Sequence, residues 1–395
     1  MLSLYNKIAI LIVFCLIIIS CQSTVTTAEN SPIYTEIYLD SKFENDMPLL
    51  IESEEEVFAL DDEMKLMVTE KILPVRAPNK RAKRLLRHIF SKDNIDLAYQ
   101  SAANLTASEA YHSQTANCMS LTIMAYALAK EAGLDVKFQD VKVPEYWVRN
   151  GQYNMLTGHV NLILTEAKVP NKTVVYGREL LQIDFDPDVY KKSFPKKVIT
   201  KNTVLAMFYN NKGAQELIEE NYALSYRYLK QATLVDPAFS SAWGNLGILY
   251  KLNNLNDFAE KAYKHAIALD ADNLTALSNL SFLLENNKDY EQAIKIKKML
   301  HDKRIKNPYY HALLADEAFY KGENKKALKH YKRAIRMDNK VHEFYYGIAK
   351  VYYALDQIER AENAMNKALA YNKATAIESK YSAKLNFLKG LAMND

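Results

Sequence analysis

Three side chains in this sequence have the types and the order that nucleophilic chemistry needs: Cys118, His159 and Asp184. A thiolate attacks a carbonyl carbon, an imidazole accepts and returns the proton, and a carboxylate holds the imidazole in one tautomer. The set therefore predicts attack of Cys118 on an amide to form a thioester. The acyl group of the thioester then passes to water or to an amine.

Cys118 is predicted to lie in the first turn of a helix. The apolar spacing indicates a helix over 118–132, and Gly133 suits the left-handed position just after its end. Unpaired N–H groups of a first turn favour a thiolate and can hold a developing oxyanion. The side chains of Gln114 and Asn117 are further candidates for oxyanion donors.

The two partners of Cys118 lie on segments that are typical of strands. His159 is predicted to start one strand, and Asp184 lies in the next long one. Asp186 shares a face with Asp184 because side chains alternate with a period of two. We therefore take Asp184 as the orienting carboxylate and Asp186 as the alternative, and His112 is a rival base.

The sequence predicts neither a metal site nor a cofactor. It contains no CxxC pair and no HExxH motif, and one cysteine with scattered histidines is not a zinc set. Phosphate-binding and dinucleotide-binding loops are also missing from the sequence. Reversible oxidation of Cys118 is a weaker hypothesis that needs no help from His159.

The segments around these residues resemble the transglutaminase-like superfamily. They read Asn117-Cys118, then Gly158-His159-Val160-Asn161, then Ile183-Asp184-Phe185. The resemblance covers roughly residues 80–195. It implies a papain-like α+β domain with the cysteine at a helix N-terminus and the histidine and aspartate on adjacent strands. We assign residues 71–200 to this domain.

The N-terminus resembles the leader of a bacterial lipoprotein. An uncharged run over 8–19 is too short to span a membrane and ends at Ser20-Cys21, which is similar to a lipobox. The resemblance implies a signal peptide over 1–20, acylation of Cys21, and anchoring in a lipid bilayer of the cell envelope. Gln22 favours the outer membrane. Residues 21–70 are then expected to form a tether.

If the chain is exported, Cys118 is the free thiol that remains after Cys15 is removed and Cys21 is acylated. Thiols in oxidising compartments usually pair as disulfides, so an unpaired one indicates a chemical role. The net charge of +4 says little about partners. The basic face over 80–91 is read as a solvated helix face, and no nucleic-acid partner is expected.

From residue 206 the sequence repeats with a period of 34 residues. The clearest copy starts at Ser240, and the others start at residues 206, 274, 308 and 342. The copies resemble tetratricopeptide repeats, in which two helices cross at small residues and pack large ones between neighbours. We assign residues 206–395 to an all-α solenoid of five units with a capping helix near 377–392. Tyr250, Tyr263 and Tyr331 are expected in its core.

The inner helices of such repeats line a groove that suits an extended peptide. The groove-facing positions predicted by register are Asn210, Lys251, Phe282, Tyr309, Asp316, Tyr346, Lys350 and Tyr353. The partner is expected to be a protein or peptide. The main functional hypothesis is a membrane-anchored thiol acyl-transfer enzyme acting on a peptide or protein amide. The alternative is a non-catalytic lipoprotein adaptor that works through its repeats.

Overall fold

The computed structural model describes residues 36–43, 50–90, 98–99, 103–113, 115–150, 153–165, 179–185, 194–372 and 375–392. The chain divides into two units, residues 1–44 and residues 45–395. The described part of the first unit contains the short helix α1 (Asp40–Phe43), and residues 36–37 are also helical. The second unit contains an α+β region followed by a helical solenoid.

The α+β region places several helices ahead of a sheet. In chain order its elements are α2 (Glu54–Phe58), α3 (Asp62–Met67) with a π turn (Val68–Ile72), α4 (Pro78–Phe90), β1 (Ala98–Tyr99), α5 (Ala107–His112), β2 (Thr115–Ala116), α6 (Cys118–Glu131), β3 (Asp135–Asn150), β4 (Tyr153–Thr165), β5 (Glu179–Ile183) and β6 (Lys196–Ile199). Helix α6 ends as expected, because Gly133 follows it with a φ of 65°.

Helix α6 packs on a four-stranded antiparallel sheet with the strand order β5-β4-β3-β6. Apolar side chains of α6, β3 and β4 form one core, which includes Leu128, Phe138 and Leu162. Strand β4 begins six residues before His159, so the prediction that His159 starts its strand was wrong. Strand β6 was not predicted, because it is short and mostly exposed.

The predicted tether over 21–70 is wrong for its second half. Residues 54–58 and 62–72 are helical, and Val57, Met64 and Ile72 are fully buried in the core of the α+β region. Glu52 fastens this segment to the solenoid, because its carboxylate accepts from Tyr228 at 2.8 Å and pairs with Lys212 at 2.9 Å. Residues 21–35 and 44–49 of the predicted tether lie outside the described residues.

The solenoid consists of five helix pairs and a final helix. Its elements are α7 (Lys201–Ile218), α8 (Tyr222–Val235), α9 (Ser240–Leu252), α10 (Asn256–Leu269), α11 (Leu274–Asn286), α12 (Tyr290–Arg304), α13 (Pro308–Tyr320), α14 (Asn324–Met337), α15 (His342–Ala354), α16 (Ile358–Tyr371) and α17 (Thr375–Ala392). Inner helices α9, α11, α13 and α15 begin where the sequence repeat places them. Helix α7 begins five residues before the predicted start at Ala206.

The backbone conformation also repeats every 34 residues. Within each pair, the turn between the two helices contains one left-handed residue, and these residues are Glu220, Asn254, Lys288, Gly322 and Asp356. Each lies 34 residues after the last. Glycine adopts this conformation without strain, whereas a side chain with a Cβ carries a steric cost.

We expect Lys288→Gly to raise the free energy of unfolding by roughly 0.5–1 kcal/mol, because it removes this strain. Gly322→Ala is expected to lower the free energy by a similar amount. Urea unfolding followed by circular dichroism measures both. Equal stability of the two variants and the wild type would contradict the strain argument.

Glycine permits close contact between an inner and an outer helix at two places, within one pair at Gly247 and between neighbouring pairs at Gly347. A Cβ at Gly247 would lie 2.6 Å from the Tyr263 ring, and one at Gly347 would lie 2.2 Å from the Tyr331 ring. Both tyrosines are almost fully buried, as is Tyr250, so the prediction that these three belong to the core is confirmed. The glycine lets the large ring of the outer helix lie against the inner helix.

Gly247→Ala is therefore expected to destabilise the solenoid by about 1–3 kcal/mol through overpacking. Gly244→Ala is the matched control, because it lies on the same helix and its Cβ would make ordinary contacts of 3.6 and 3.8 Å. The control should be neutral or slightly stabilising. The comparison of the two melting temperatures checks the prediction, which fails if both variants behave alike.

The α+β region and the solenoid share one apolar core at the first repeat. Phe208, Tyr209 and Tyr228 belong to the same cluster as the side chains of α6 and the sheet. A second connection lies farther along, where Glu145 of β3 accepts two hydrogen bonds from Arg304 at 2.7 and 2.9 Å. The backbone oxygen of Glu145 also accepts from Asn307 at 2.6 Å.

Candidate functional site

The candidate site is built on the N-terminus of α6. Asn117 is the N-cap of this helix, and its side-chain oxygen accepts from the Ser120 N–H at 2.8 Å. Cys118 is therefore the first residue of the helix, in the turn whose N–H groups have no partners within the helix. Cys118 is half-buried and forms no disulfide.

The side chain of Asn117 is occupied by structural contacts. Its amide nitrogen donates to Asn104 Oδ1 at 2.7 Å, and its oxygen also accepts from the Ser120 hydroxyl at 3.0 Å. These bonds commit the side chain to capping α6, so they give no support to the predicted role as an oxyanion donor. Asn104 in turn donates to Gln215 of α7 at 3.4 Å, which links the start of α6 to the first repeat.

The two partners of Cys118 come from neighbouring antiparallel strands. Leu162 of β4 pairs with Ile183 of β5, so the next residues, Asn161 and Asp184, lie opposite each other. His159 is two residues before Asn161 and therefore lies on the same face of the sheet. Its Nε2 atom lies 2.8 Å from Asp184 Oδ1, and both side chains are almost fully buried.

Cys118 lies close enough to the His159 ring for the two side chains to interact. Because Nε2 contacts Asp184, the other ring nitrogen, Nδ1, is the one available to the thiol. The structure therefore brings Cys118, His159 and Asp184 together in the order thiol, imidazole, carboxylate.

The charged form of His159 is favoured by this environment. Burial alone would lower its pKa, but the hydrogen bonds and charges of Asp184 and Cys118 outweigh burial and raise the pKa well above its ordinary value. A charged imidazole beside Cys118 can give its proton to a leaving group.

Two residues that the sequence did not single out hold the carboxylate. Asn161 Nδ2 donates to Asp184 Oδ2 at 2.9 Å, and Gln182 Nε2 lies 3.4 Å from the same oxygen. Asn161 is fully buried, and its own side-chain oxygen has no partner among the described residues. The signal that could have found it is its spacing, because residue i+2 on a strand shares the face of residue i.

The remaining predicted site residues fall outside this constellation. His112 is exposed, and its Nε2 atom lies 2.7 Å from Asp61, so it is occupied elsewhere. Gln114, the alternative carboxylate Asp186 and the lipidation residue Cys21 lie outside the described residues. Within the ranges that are described, no group of three or more His, Cys, Asp or Glu side chains is arranged to hold a metal ion.

Several predicted groove residues bind each other across repeats. Lys251 Nζ lies 3.8 Å from the centre of the Phe282 ring, and Phe282 remains 51% exposed. Asp316 accepts from the buried Tyr331 hydroxyl at 2.7 Å and lies 3.3 Å from Lys350. Among the aromatic rings predicted to face the groove, Phe282 is the most exposed.

The other groove residues differ in accessibility. Asn210 is buried and accepts from Asn245 at 2.8 Å. Tyr346 stacks on Tyr381 of the capping helix α17 at 4.8 Å, and Tyr309 lies edge-on to Phe344, so both are half-buried by the solenoid itself. Tyr353 is 46% exposed.

Comparisons with known proteins recognise the second half of the chain. A model described as "Tetratricopeptide repeat" matches residues 240–273 and 342–375, and a model described as "TPR repeat" matches residues 315–356. The C-terminal half carries tetratricopeptide repeats. No curated protein matches the chain.

Solved structures match the chain at low identity. TTC0263, a TPR protein of Thermus thermophilus, is 18% identical over 46% of this chain and 98% of its own, with a TM-score of 0.32. PilF of Pseudomonas aeruginosa is 16% identical over 48% and 87%, with a TM-score of 0.31. YrrB, described as a TPR protein with an unusual peptide-binding site, is 13% identical over 45% and 92%, with a TM-score of 0.26.

The TPR matches support a role in protein interaction for the solenoid. The helices of the described ranges include none that combines the length and apolar character needed to cross a bilayer.

Proposed function

We propose that this protein is a thiol-dependent acyl-transfer enzyme of transglutaminase-like, papain-like type, whose TPR repeats bind its protein substrate or partner. The observation that carries the proposal is the position of the His159 ring, which is hydrogen-bonded to the buried carboxylate of Asp184 and lies beside Cys118. This arrangement supplies a nucleophile, a proton carrier and an orienting group.

The residues divide the reaction between them. Cys118 attacks an amide carbonyl while the first-turn N–H groups of α6 stabilise the oxyanion. His159 gives its proton to the leaving amine, and a thioester to Cys118 remains. Water or an amine then attacks the thioester and loses its proton to His159, which restores the thiol. Hydrolysis is the preferred second step, because it needs only water.

The second candidate function is a non-catalytic adaptor that acts through its repeats. The matches to known families favour it, since they cover the repeats and leave residues 50–200 unmatched. A degenerate α+β domain would then serve as a rigid support for the solenoid.

Activity-based labelling separates the two candidates. An iodoacetamide or acyl-fluoride probe should label wild type, and Cys118→Ala should lose labelling while keeping its melting temperature. Asp184→Asn tests the carboxylate and should lower the labelling rate, because the imidazole loses its orientation and its counter-charge. An adaptor would show no difference in partner binding between wild type and Cys118→Ala, and no reaction with the acyl probe.

The proposal extends to attachment at the membrane through acylated Cys21, in the cell envelope and at the outer membrane. Its support is the lipobox-like sequence alone. Metabolic labelling with a palmitate analogue tests it: labelled wild type and unlabelled Cys21→Ser would bear it out, and unlabelled wild type would refute it.

A further inference from the structure

One side of helix α4 carries a dense set of positive charges. Lys80, Lys83, Arg84 and Arg87 have the i, i+3, i+4, i+7 spacing that places side chains along one face of a helix. All four side chains are exposed. We call these four residues the basic face.

The opposite side of α4 is fixed in the core of the α+β region. Ala82, Leu85 and Ile89 are almost fully buried there. At the boundary between the two sides, Arg81 donates to the backbone oxygen of Ala132 at 3.0 Å. The core therefore holds the helix in one orientation, and the basic face is formed before any partner binds.

The charge of the basic face is not neutralised within the described part of the chain. Its four cations form no ion pair there, and the sequence has no Asp or Glu from residue 71 to residue 92. Burial lowers the pKa of His88, and the charges of Lys71 and Arg84 lower it further. Lys71, which is also exposed, therefore adds its charge to the same region.

An apolar side chain is exposed in the segment that leads into this helix. Leu73 is 37% exposed and is followed by the exposed Pro74. Cations beside an exposed leucine suit the boundary between the anionic headgroups and the acyl chains of a bilayer. Nucleic acid favours aromatic rings on which bases stack, and residues 71–89 contain no Phe, Tyr or Trp.

Helix α14 provides a comparison within the same molecule. It carries four exposed cations with the same spacing, Lys329, Lys332, Arg333 and Arg336. Two acidic residues lie near this set along the chain: Glu323 pairs with Lys326 at 2.9 Å, and Asp338 is the C-cap of the helix. The two helices are thus matched in charge and spacing, whereas α4 lies in a stretch without acids and α14 does not.

We propose that the basic face, together with Leu73, binds the anionic headgroups of a phospholipid bilayer and sets the orientation of the protein on it. Binding to the headgroups rests on this surface alone. The orientation in the cell rests on the proposed attachment through Cys21, which holds the chain at a bilayer.

Headgroup binding is tested with the Cys21→Ser protein, which cannot be acylated at that position. Its partition coefficient is measured by co-sedimentation with vesicles of phosphatidylcholine alone, and with vesicles of phosphatidylcholine and phosphatidylglycerol in equal amounts. The first value includes any binding by the apolar run over 8–19, so the ratio of the second value to the first isolates the electrostatic part. Raising the salt from about 0.1 M to about 1 M should bring this ratio close to one, because it shortens the screening length from about 10 Å to about 3 Å.

The ratio should fall about tenfold or more in the variant Lys80→Gln/Lys83→Gln/Arg84→Gln/Arg87→Gln, since each Lys or Arg near an anionic surface strengthens binding several-fold. Gln has nearly the helix propensity of Lys and Arg, so the melting temperature should not fall. A ratio that stays unchanged in this variant overturns the proposal.

The matched control is the variant Lys329→Gln/Lys332→Gln/Arg333→Gln/Arg336→Gln, which removes the same charge from α14. Its ratio should stay within about twofold of the parent, because charges that do not face the bilayer are screened by salt. An equal fall in the two variants would show that net charge alone drives binding, and it also overturns the proposal.

Two further measurements test the apolar contact and the choice of lipid over nucleic acid. Leu73→Ser should weaken binding to the mixed vesicles several-fold, because it removes apolar area and no charge. Leu252→Ser is the matched control, since Leu252 is also 37% exposed and lies in the solenoid. Equal binding by these two variants overturns the apolar contact. A single-stranded oligonucleotide that binds more tightly than the mixed vesicles, through the same four cations, assigns the face to nucleic acid and overturns the proposal.

The orientation is tested in wild-type protein reconstituted into the same two kinds of vesicle. Acetylation of Lys80 and Lys83 by an N-hydroxysuccinimide ester should be several-fold slower in the mixed vesicles, whereas Lys329 and Lys332 should react alike in both. Equal rates at Lys80 and Lys83 overturn the orientation. Wild type that carries no lipid on Cys21 refutes the proposed attachment but leaves the headgroup result standing, so the two failures can be told apart.

Discussion

Cys118 is expected to react with iodoacetamide at pH 6 about tenfold or more faster than an ordinary thiol, and His159→Ala should abolish this advantage. An unperturbed thiol with a pKa near ~8.5 is less than about 1% ionised at pH 6, so a thiolate held by an imidazolium gains strongly in concentration. Part of that gain is lost because a stabilised thiolate is a weaker nucleophile. Timed alkylation followed by intact-mass measurement gives the rates.

The pH dependence of this reaction follows from the raised pKa of His159. Its folded-state pKa lies above the ordinary value, so the imidazolium persists through neutral pH and is lost only as the pH rises further. The alkylation rate of wild type should therefore be nearly flat from pH 6 to pH 8, whereas that of His159→Ala should climb about tenfold per pH unit. His112→Ala is the control, because its ring contacts Asp61, and it should match wild type. A wild-type rate that climbs like an ordinary thiol would remove the basis for the enzyme.

Breaking the contact between Glu145 and Arg304 is expected to destabilise the protein by about 2–4 kcal/mol, because either substitution leaves a mostly buried charge without its partner. The two side chains are 18% and 10% exposed and share two hydrogen bonds. Glu145→Gln, Arg304→Met and the double variant, unfolded in urea, form a double-mutant cycle.

The double substitution should lower the free energy of unfolding by less than the sum of the two single substitutions, since it leaves no isolated charge. The exposed pair of Glu323 and Lys326 provides a comparison, and Lys326→Ala should leave the free energy of unfolding nearly unchanged. Single substitutions at Glu145 and Arg304 that cost no more than this would show that the contact does not hold the sheet to the solenoid.

The solenoid was predictable because its information is local and repeated. Each unit places a small residue, Ser or Ala, at the same position of its outer helix. The sequence pattern therefore also predicts where two adjacent helices make contact. The segment over 50–72 was misread because its helices are only five or six residues long, too short to show a period of 3.6. Its burial comes from contacts with distant residues such as Tyr228.

The three main residues of the candidate site could be predicted from their types and their order along the chain. The hydrogen bonds that surround them were harder to predict. Cys118, His159 and Asp184 have the side-chain types that the proposed chemistry needs, and the expected strands and helix explain how they meet. Asn161 and Gln182 were missed because an amide has no chemistry of its own; its role depends on the strand register that places it against Asp184. Asn210 and Tyr346 were assigned to an open groove, but neighbouring repeats partly cover them.

The two attachments of the α+β region to the solenoid restrict how the repeat array can change in length. One attachment is the core shared with the first repeat, and the other is Arg304 at the end of the third. Inserting or deleting a 34-residue unit between them would move Arg304 away from Glu145, whereas units added after residue 341 would leave both attachments in place. The number of repeats between the two attachments is therefore constrained, both in engineering and in evolution. Repeats can be added at the C-terminal end without breaking either attachment.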